Sequence, residues 1–198
     1  MKQILFLGDS ITDCYHSFDP DNLGEGYVRM IAQSLNEQCD IINKGVDGYT
    51  LNSVKRMWNQ ISYSCHPDII NILVGINDIY MMETSGMHTA FALEEFKLGY
   101  MTLIVSIRKQ FQGPIIIMEP FLFPKPEEFK NWFVSLKKMN EIIHNIADRY
   151  HLTYIPLWED LLKAADIHGI DAITIDGVHL TPAGHTILKD KWIQYSAL

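Results

Sequence analysis

No segment of this chain stays apolar long enough to cross a bilayer without meeting a charge or a proline. The N-terminus carries one lysine and then only the run Ile4–Leu7 before the polar Gly8-Asp9-Ser10, too short for the apolar core of a secretory signal. Cysteine is scarce as well. The three that exist, Cys14, Cys39 and Cys65, are odd in number and widely spaced, the pattern of reduced thiols rather than of a disulfide framework. Basic residues are outnumbered: 16 Lys and Arg face 24 Asp and Glu, a net charge of −8. That balance speaks against a sequence-independent nucleic-acid binder and against an anionic membrane surface as partner. Repeats, low-complexity tracts and linkers are absent too. These absences lead us to expect a cytoplasmic protein with no nucleic-acid or membrane partner, for which a homo-oligomer stays open.

What is present is an ordinary globular composition, with 47% hydrophobic and 20% charged residues in a length that suits a single domain over 1–198. Short apolar runs alternate with longer stretches of helical period. Ile4–Leu7, Ile41-Ile42, Ile69–Val74, Ile115–Met118 and Tyr154-Ile155 read as strands, and their continuous hydrophobicity is that of a sheet covered on both faces. Phe96, Tyr100, Leu103, Ile104 and Ile107 hold one apolar helix face, and Leu136, Met139, Ile143, Ile146 and Tyr150 another. A last helix opens with Thr181 as N-cap and Pro182 at its first position, leading into Ile187-Leu188 and Trp192-Ile193. Five strand–helix alternations predict a three-layer α/β domain, doubly wound on a five-stranded parallel sheet in the flavodoxin-like order 2-1-3-4-5.

Two stretches break the rhythm and read as loops at the carboxyl ends of strands, where such sheets bind ligands. Tyr80–Thr89 contains Met81, Met82, Gly86 and Met87. Glu119–Trp132 contains three prolines and the aromatics Phe121, Phe123, Phe129 and Trp132, with Phe133 just beyond. This aromatic segment serves either as core and loop anchoring or as a wall that stacks on sugar rings or holds an acyl chain.

Three strands run straight into polar turns: Gly8-Asp9-Ser10-Ile11-Thr12-Asp13, Asn43-Lys44-Gly45-Val46-Asp47-Gly48, and Gly75-Ile76-Asn77-Asp78. In a 2-1-3 order these strands are neighbours, so Ser10, Gly45 and Asn77 converge on one rim. That gathers a hydroxyl, an N–H with no side chain in the way and a carboxamide donor, the parts needed for attack on a carbonyl and for holding the resulting oxyanion. The Ser10 N–H, at a strand-to-helix turn, adds a donor. Asp176-Gly177-Val178-His179 supplies a base and its orienting acid within four residues.

Gly8-Asp9-Ser10-Ile11-Thr12, Gly45 within Asn43-Lys44-Gly45, Gly75-x-Asn77-Asp78 and Asp176-x-x-His179 resemble, in order and over nearly the whole chain, the four blocks of the SGNH (GDSL-like) hydrolases. The fuller wording looks particularly like the bacterial acetylxylan esterases of that family, although many members carry Glu-Gly or a similar pair where this chain has Asp13-Cys14. The resemblance implies a serine esterase with Ser10 as nucleophile, His179 as general base and Asp176 as its orienter. Ser10 N–H, Gly45 N–H and the Asn77 side chain would form the oxyanion hole, and no cofactor or metal would be needed. The implied substrate is an O-acetyl ester of a short xylo-oligosaccharide or other carbohydrate. A lysophospholipase, thioesterase or short-chain carboxylesterase uses the same blocks, and a non-catalytic carbohydrate-binding module shares the fold.

Each residue also has a structural reading. Asn77 could cap a helix and Gly45 permit a left-handed turn. Asp9 and Asp78 read as braces accepting backbone N–H groups, Cys14 as a small packed side chain, and His185 as packing or capping. A metal site from Asp176, His179 and His185 lacks recognisable ligand spacing.

Overall fold

The structure is a computed structural model that describes residues 1–36, 38–86 and 88–196. Five strands, β1 (Lys2–Gly8), β2 (Cys39–Gly45), β3 (Ile69–Leu73), β4 (Ile115–Met118) and β5 (Thr153–Ile155), form an all-parallel sheet in the order β2-β1-β3-β4-β5. The three central strands are built almost wholly of buried aliphatic side chains. The edge strands β2 and β5 mix in polar and half-exposed residues, as a strand with one open edge requires. Gly8 pairs with Gly45 on one side and Leu73 on the other. This register ends β1, β2 and β3 at one level, so their following turns share a rim.

Nine α-helices connect and flank the strands among the described residues: α1 (Ser10–Asp13), α2 (Tyr27–Ser34), α3 (Leu51–Ile61), α4 (Ile76–Thr84), α5 (Thr89–Arg108), α6 (Phe133–Tyr150), α7 (Trp158–His168), α8 (Ile170–Ile173) and α9 (Pro182–Tyr195). Two short 3-10 helices, His16–Phe18 and Glu127–Trp132, lie in the connections. α2 packs on α9, while α3, α5 and α6 pack in series, and helices cover both sides of the sheet. The predicted faces of α5 and α6 are buried, apart from a half-buried Tyr150, and Thr181 caps α9 by accepting from Gly184 N at 3.3 Å. The expected alternation, sheet order and layering are therefore those observed.

The stretch Tyr80–Thr89 differs from its loop reading. Tyr80–Thr84 continues α4, and Thr89 already belongs to α5; Met87 lies outside the described residues. Ile76, Ile79 and Met82 supply a helical stripe that is buried against the core, which overrides the breaks signalled by Gly86 and the paired methionines. The aromatic segment after β4 packs rather than lining an open wall. Phe121, Leu122 and Phe123 are fully buried, and Phe129, Trp132 and Phe133 lean half-buried on the core. Phe129 meets Trp132 at 4.4 Å and Phe133 meets Trp158 at 4.9 Å.

Candidate active site

Ser10 is the first residue of α1, on the tight turn that leaves β1. Asp9 caps this turn: its Oδ1 accepts the Ile11 N–H at 3.1 Å, and its carbonyl accepts those of Thr12 and Asp13. The carboxylate is buried, and that burial pushes its pKa up to about 7 against the opposing pull of the Ile11 N–H, with the charge of Asp78 adding to the rise. Asp78 is itself raised to about 6 by burial; its Oδ2 accepts the Leu51 N–H at 2.9 Å and so caps α3 from across the rim. Both acids are braces, as the sequence suggests.

The segment between α8 and α9 brings the imidazole to Ser10. Thr174 and Leu180 form an isolated antiparallel bridge, and the Thr174 hydroxyl donates to the His179 carbonyl at 2.8 Å while accepting the Gly177 N–H at 2.9 Å. Between them Asp176 closes the turn, Oδ1 accepting the N–H groups of Val178 and His179 at 2.9 and 2.8 Å. Its other oxygen lies 2.7 Å from His179 Nδ1, and His179 Nε2 lies 3.0 Å from Ser10 Oγ. Partial burial alone would raise the Asp176 carboxyl, but the ring and the two N–H groups together hold it below the usual carboxylate range. With the carboxylate ionised, Nδ1–H donates to it and Nε2 is left to accept the Ser10 hydroxyl proton. Gly177 sits at φ +96°, and a Cβ there would stand 1.7 Å from the Lys125 carbonyl oxygen, so only glycine fits. Phe123 N–H also donates to the Gly177 carbonyl at 2.9 Å. The segment after β4 thus serves as the floor under the Asp–His turn.

Asn77 lies in the first turn of α4, where it makes no cap bond; its Nδ2 donates to the Tyr49 carbonyl at 3.0 Å. The loop after β2 is therefore tied to the amide from β3, with one Nδ2 proton left over. Gly45 departs from its expected role. Its N–H donates to Asn43 Oδ1 at 2.9 Å, and a Cβ would meet Asp13 N at 2.1 Å, so the absent side chain serves the close approach of β2 to α1. Three residues on, Gly48 is exposed, with open space around it and φ +71°. It adjoins Tyr49, and in the sequence Asp47-Gly48 reads as an ordinary turn. Asn43 also holds the Thr12 carbonyl at 2.7 Å and that of Leu23 at 2.9 Å, and Asp13 Oδ2 accepts the Asp47 N–H at 3.2 Å. Together these bonds lock the turn that bears Ser10 to the loop bearing Gly48.

His185 is buried and does not reach the reacting group: Nδ1 accepts the Tyr27 N–H at 3.2 Å at the start of α2. Burial, reinforced by the His179 charge, lowers its pKa to about 4, so it stays neutral. Cys14 Sγ lies 3.6 Å from its Nε2, and burial raises that thiol. Among the described residues no three His, Cys, Asp or Glu side chains are grouped to hold a metal ion, and no helix is long and apolar enough to cross a membrane.

Known proteins are similar to this chain in sequence and fold. An acetylxylan esterase from Geobacillus stearothermophilus is 26% identical over 98% of this chain and 93% of its own. A Bos taurus protein named isoamyl acetate-hydrolyzing esterase 1 homolog is 24% identical over 92% of this chain and 76% of its own. The crystal structure of the Geobacillus esterase Axe2 superposes with a TM-score of 0.84 at 24% identity, over 98% of this chain and 93% of that one. Solved catalytic mutants of Axe2 replace a serine, an aspartate and a histidine three positions after the aspartate. The family model described as GDSL-like Lipase/Acylhydrolase matches residues 6–187. The chain belongs to this family, the SGNH hydrolases, and is a carboxylic ester hydrolase.

Proposed function

We propose that the ester bond is cleaved by Ser10, His179 and Asp176 through a covalent acyl-enzyme, and that the natural substrate is a short O-acetyl ester of a carbohydrate. The continuous contact from Asp176 Oδ2 through His179 to Ser10 Oγ, at 2.7 and 3.0 Å, carries this reading. Ser10 Oγ attacks the carbonyl carbon as His179 Nε2 takes its proton, and the C=O electron pair moves onto oxygen. The tetrahedral oxyanion collapses, the C–O bond to the alcohol breaks, and the alcohol takes the proton back from His179. Water, deprotonated by the same nitrogen, then attacks the acyl-serine; the bond from the acyl carbon to Oγ breaks, Ser10 Oγ takes the proton from His179, and the carboxylic acid leaves.

The oxyanion donors in this reading are the Ser10 N–H and the remaining Nδ2 proton of Asn77, with Gly48 N–H taking the part first expected of Gly45. The spacing Asp176-x-x-His179 agrees with that of the aspartate and histidine replaced in the Axe2 catalytic mutants. Both curated relatives are named for acetate esters, which favours an acetyl donor. The bovine relative's name makes a simple alkyl acetate the second reading.

Ser10→Ala should lower kcat by about 10⁴- to 10⁶-fold with the fold retained, read by a superimposable melting curve. On wild-type enzyme, kcat/KM should fall steeply from acetate to butyrate to octanoate esters. A tenth of wild-type turnover left in Ser10→Ala would remove the nucleophile. A gain with acyl length, at about 0.8 kcal/mol for each buried methylene, would replace the acetyl reading by a lipase-like one.

A further inference from the structure

The pocket that opens over Ser10 has a volume of about 550 Å³, and its lining is lopsided. It contains Ser10 and His179 together with Tyr15, Phe18 and Ile175, but not Asn77. The pocket therefore extends to the histidine side of the nucleophile, away from the amide. In an acyl transfer through Ser10 and His179, the alcohol must leave within reach of the imidazole that protonates it, while the carbonyl oxygen turns to the opposite donors. The alcohol half of the ester thus belongs in this pocket.

Three apolar side chains there face water. Tyr15 is 68% exposed, Phe18 88% and Ile175 62%. They are not on a loose segment. Asp19 accepts the N–H groups of Leu23 and Gly24 and pairs with Arg29, and Asn43 holds the Leu23 carbonyl. Tyr15 itself is held at φ +64°, a conformation an aromatic residue rarely adopts. Asp19 and Asn43 turn their polar groups onto the backbone of this segment while the rings turn outward, the reverse of what folding alone favours for large apolar groups.

The pocket's charge is of one sign. Glu25 and Asp47 present exposed carboxylates with no hydrogen bond or ion pair among the described residues, and no Lys or Arg lines the pocket. Flat apolar faces beside free acceptors suit a ring that has C–H faces and hydroxyl edges. A bare alkyl chain would have no use for the carboxylates, and an anionic headgroup would be repelled.

We propose that Tyr15, Phe18 and Ile175 form the docking face for the alcohol half of the ester, a neutral polyhydroxylated ring, with Glu25 and Asp47 accepting its hydroxyls. This rests on the reading of Ser10 and His179 given above. It makes Phe18 a specificity-determining residue. The readout is the ratio of kcat/KM on acetylated xylobiose to kcat/KM on ethyl acetate, which has the same acyl group and no ring. Phe18→Ala should lower that ratio about tenfold, mostly through KM on the sugar ester, and Glu25→Ala should lower it in the same sense. Phe18→Trp, which restores a flat face, should recover it. Phe18 buries almost nothing, so the alanine variant should fold, which its melting temperature checks. A wild-type preference for the sugar ester that survives both alanine variants would overturn the docking face alone. A wild-type enzyme with no preference for the sugar ester would overturn the carbohydrate reading and the docking face with it.

Discussion

Asn77 keeps one amide proton on the Tyr49 carbonyl, and the other is the one assigned to the oxyanion in the proposed mechanism. It caps nothing, so its removal should cost turnover rather than the helix. Asn77→Ala should lower kcat by about 10²- to 10³-fold, with a stability loss near 1 kcal/mol from the lost Tyr49 bond. A variant with near-normal kcat at its optimum pH would take Asn77 out of the oxyanion hole. Asp9 sits one residue before Ser10, and its burial raises its carboxyl. Its pKa rises from 3.8 unfolded to about 7 folded, so the folded chain holds the proton more tightly between those values. Its contribution to stability is full below pH 3.8 and is lost as pH rises through 7. Asp9→Asn keeps the oxygen that caps α1 and removes the charge. The stability gap between Asp9→Asn and wild type should therefore widen in the variant's favour from pH 4 to pH 8, by on the order of 4 kcal/mol at most. His185, lowered to about 4, gives a slope of the opposite sign, but it is common to both proteins and cancels in the difference. Chemical denaturation across that range measures the gap, and parallel curves would place the Asp9 carboxylate in contact with water.

At the level of elements, the Asp–His turn stands on the segment after β4. Gly177→Ala would drive a Cβ into the Lys125 carbonyl, and the turn must shift to relieve it. A displacement of about 1 Å at a catalytic group can cost roughly 10²-fold, so kcat should fall by more than tenfold while α5 and α6 keep their circular dichroism. Wild-type kcat in that variant would show that the turn does not need this floor. The elements themselves were unevenly legible. β1, β3 and β4 stand out because both faces are buried from Ile4 onward and Asn71 is the polar residue that interrupts their apolar runs. α5 and α6 are long enough, at 20 and 18 residues, to repeat their apolar stripe several times. α2 and α3 are shorter, and their buried residues (Tyr27, Val28 and Ile31; Leu51, Val54, Met57 and Trp58) give too few repeats to stand out from the polar residues between them. Tyr80–Thr84 read as a loop because Gly86 lies close by, whereas burial of Ile79 and Met82 keeps the helix going to Thr84.

For the whole molecule, a polar residue in the middle of the sheet links two layers. Asn71 pairs with Phe6 in the register of β1 and β3, and its Oδ1 accepts the Trp192 indole N–H from α9 at 3.1 Å. Trp192 also lies 5.7 Å from Phe6. Asn71→Ala would strand a buried donor and leave a gap, costing about 2–4 kcal/mol and lowering the melting temperature, while kcat well below that temperature should be retained. A loss under 1 kcal/mol would mean the indole finds another acceptor. What the sequence by itself determined is the part of the protein governed by short-range chemistry. Strands buried on both faces, the Thr181-Pro182 helix start, and polar turns at the ends of β1, β2 and β3 are each specified by neighbours in the chain. From these the sheet order follows, with Ser10, Gly45 and Asn77 each on the turn that leaves its strand. The tertiary structure alone decided that the Gly45 amide is already engaged. Gly45 N–H is taken by Asn43, whose amide is held in turn by the carbonyls of Thr12 and Leu23, contacts 31 and 20 residues away in the chain. It also decided that the aromatics after β4 are buried while Tyr15 and Phe18 face water. The exposure of a ring depends on what folds against it, and nothing adjacent to it in the chain records that.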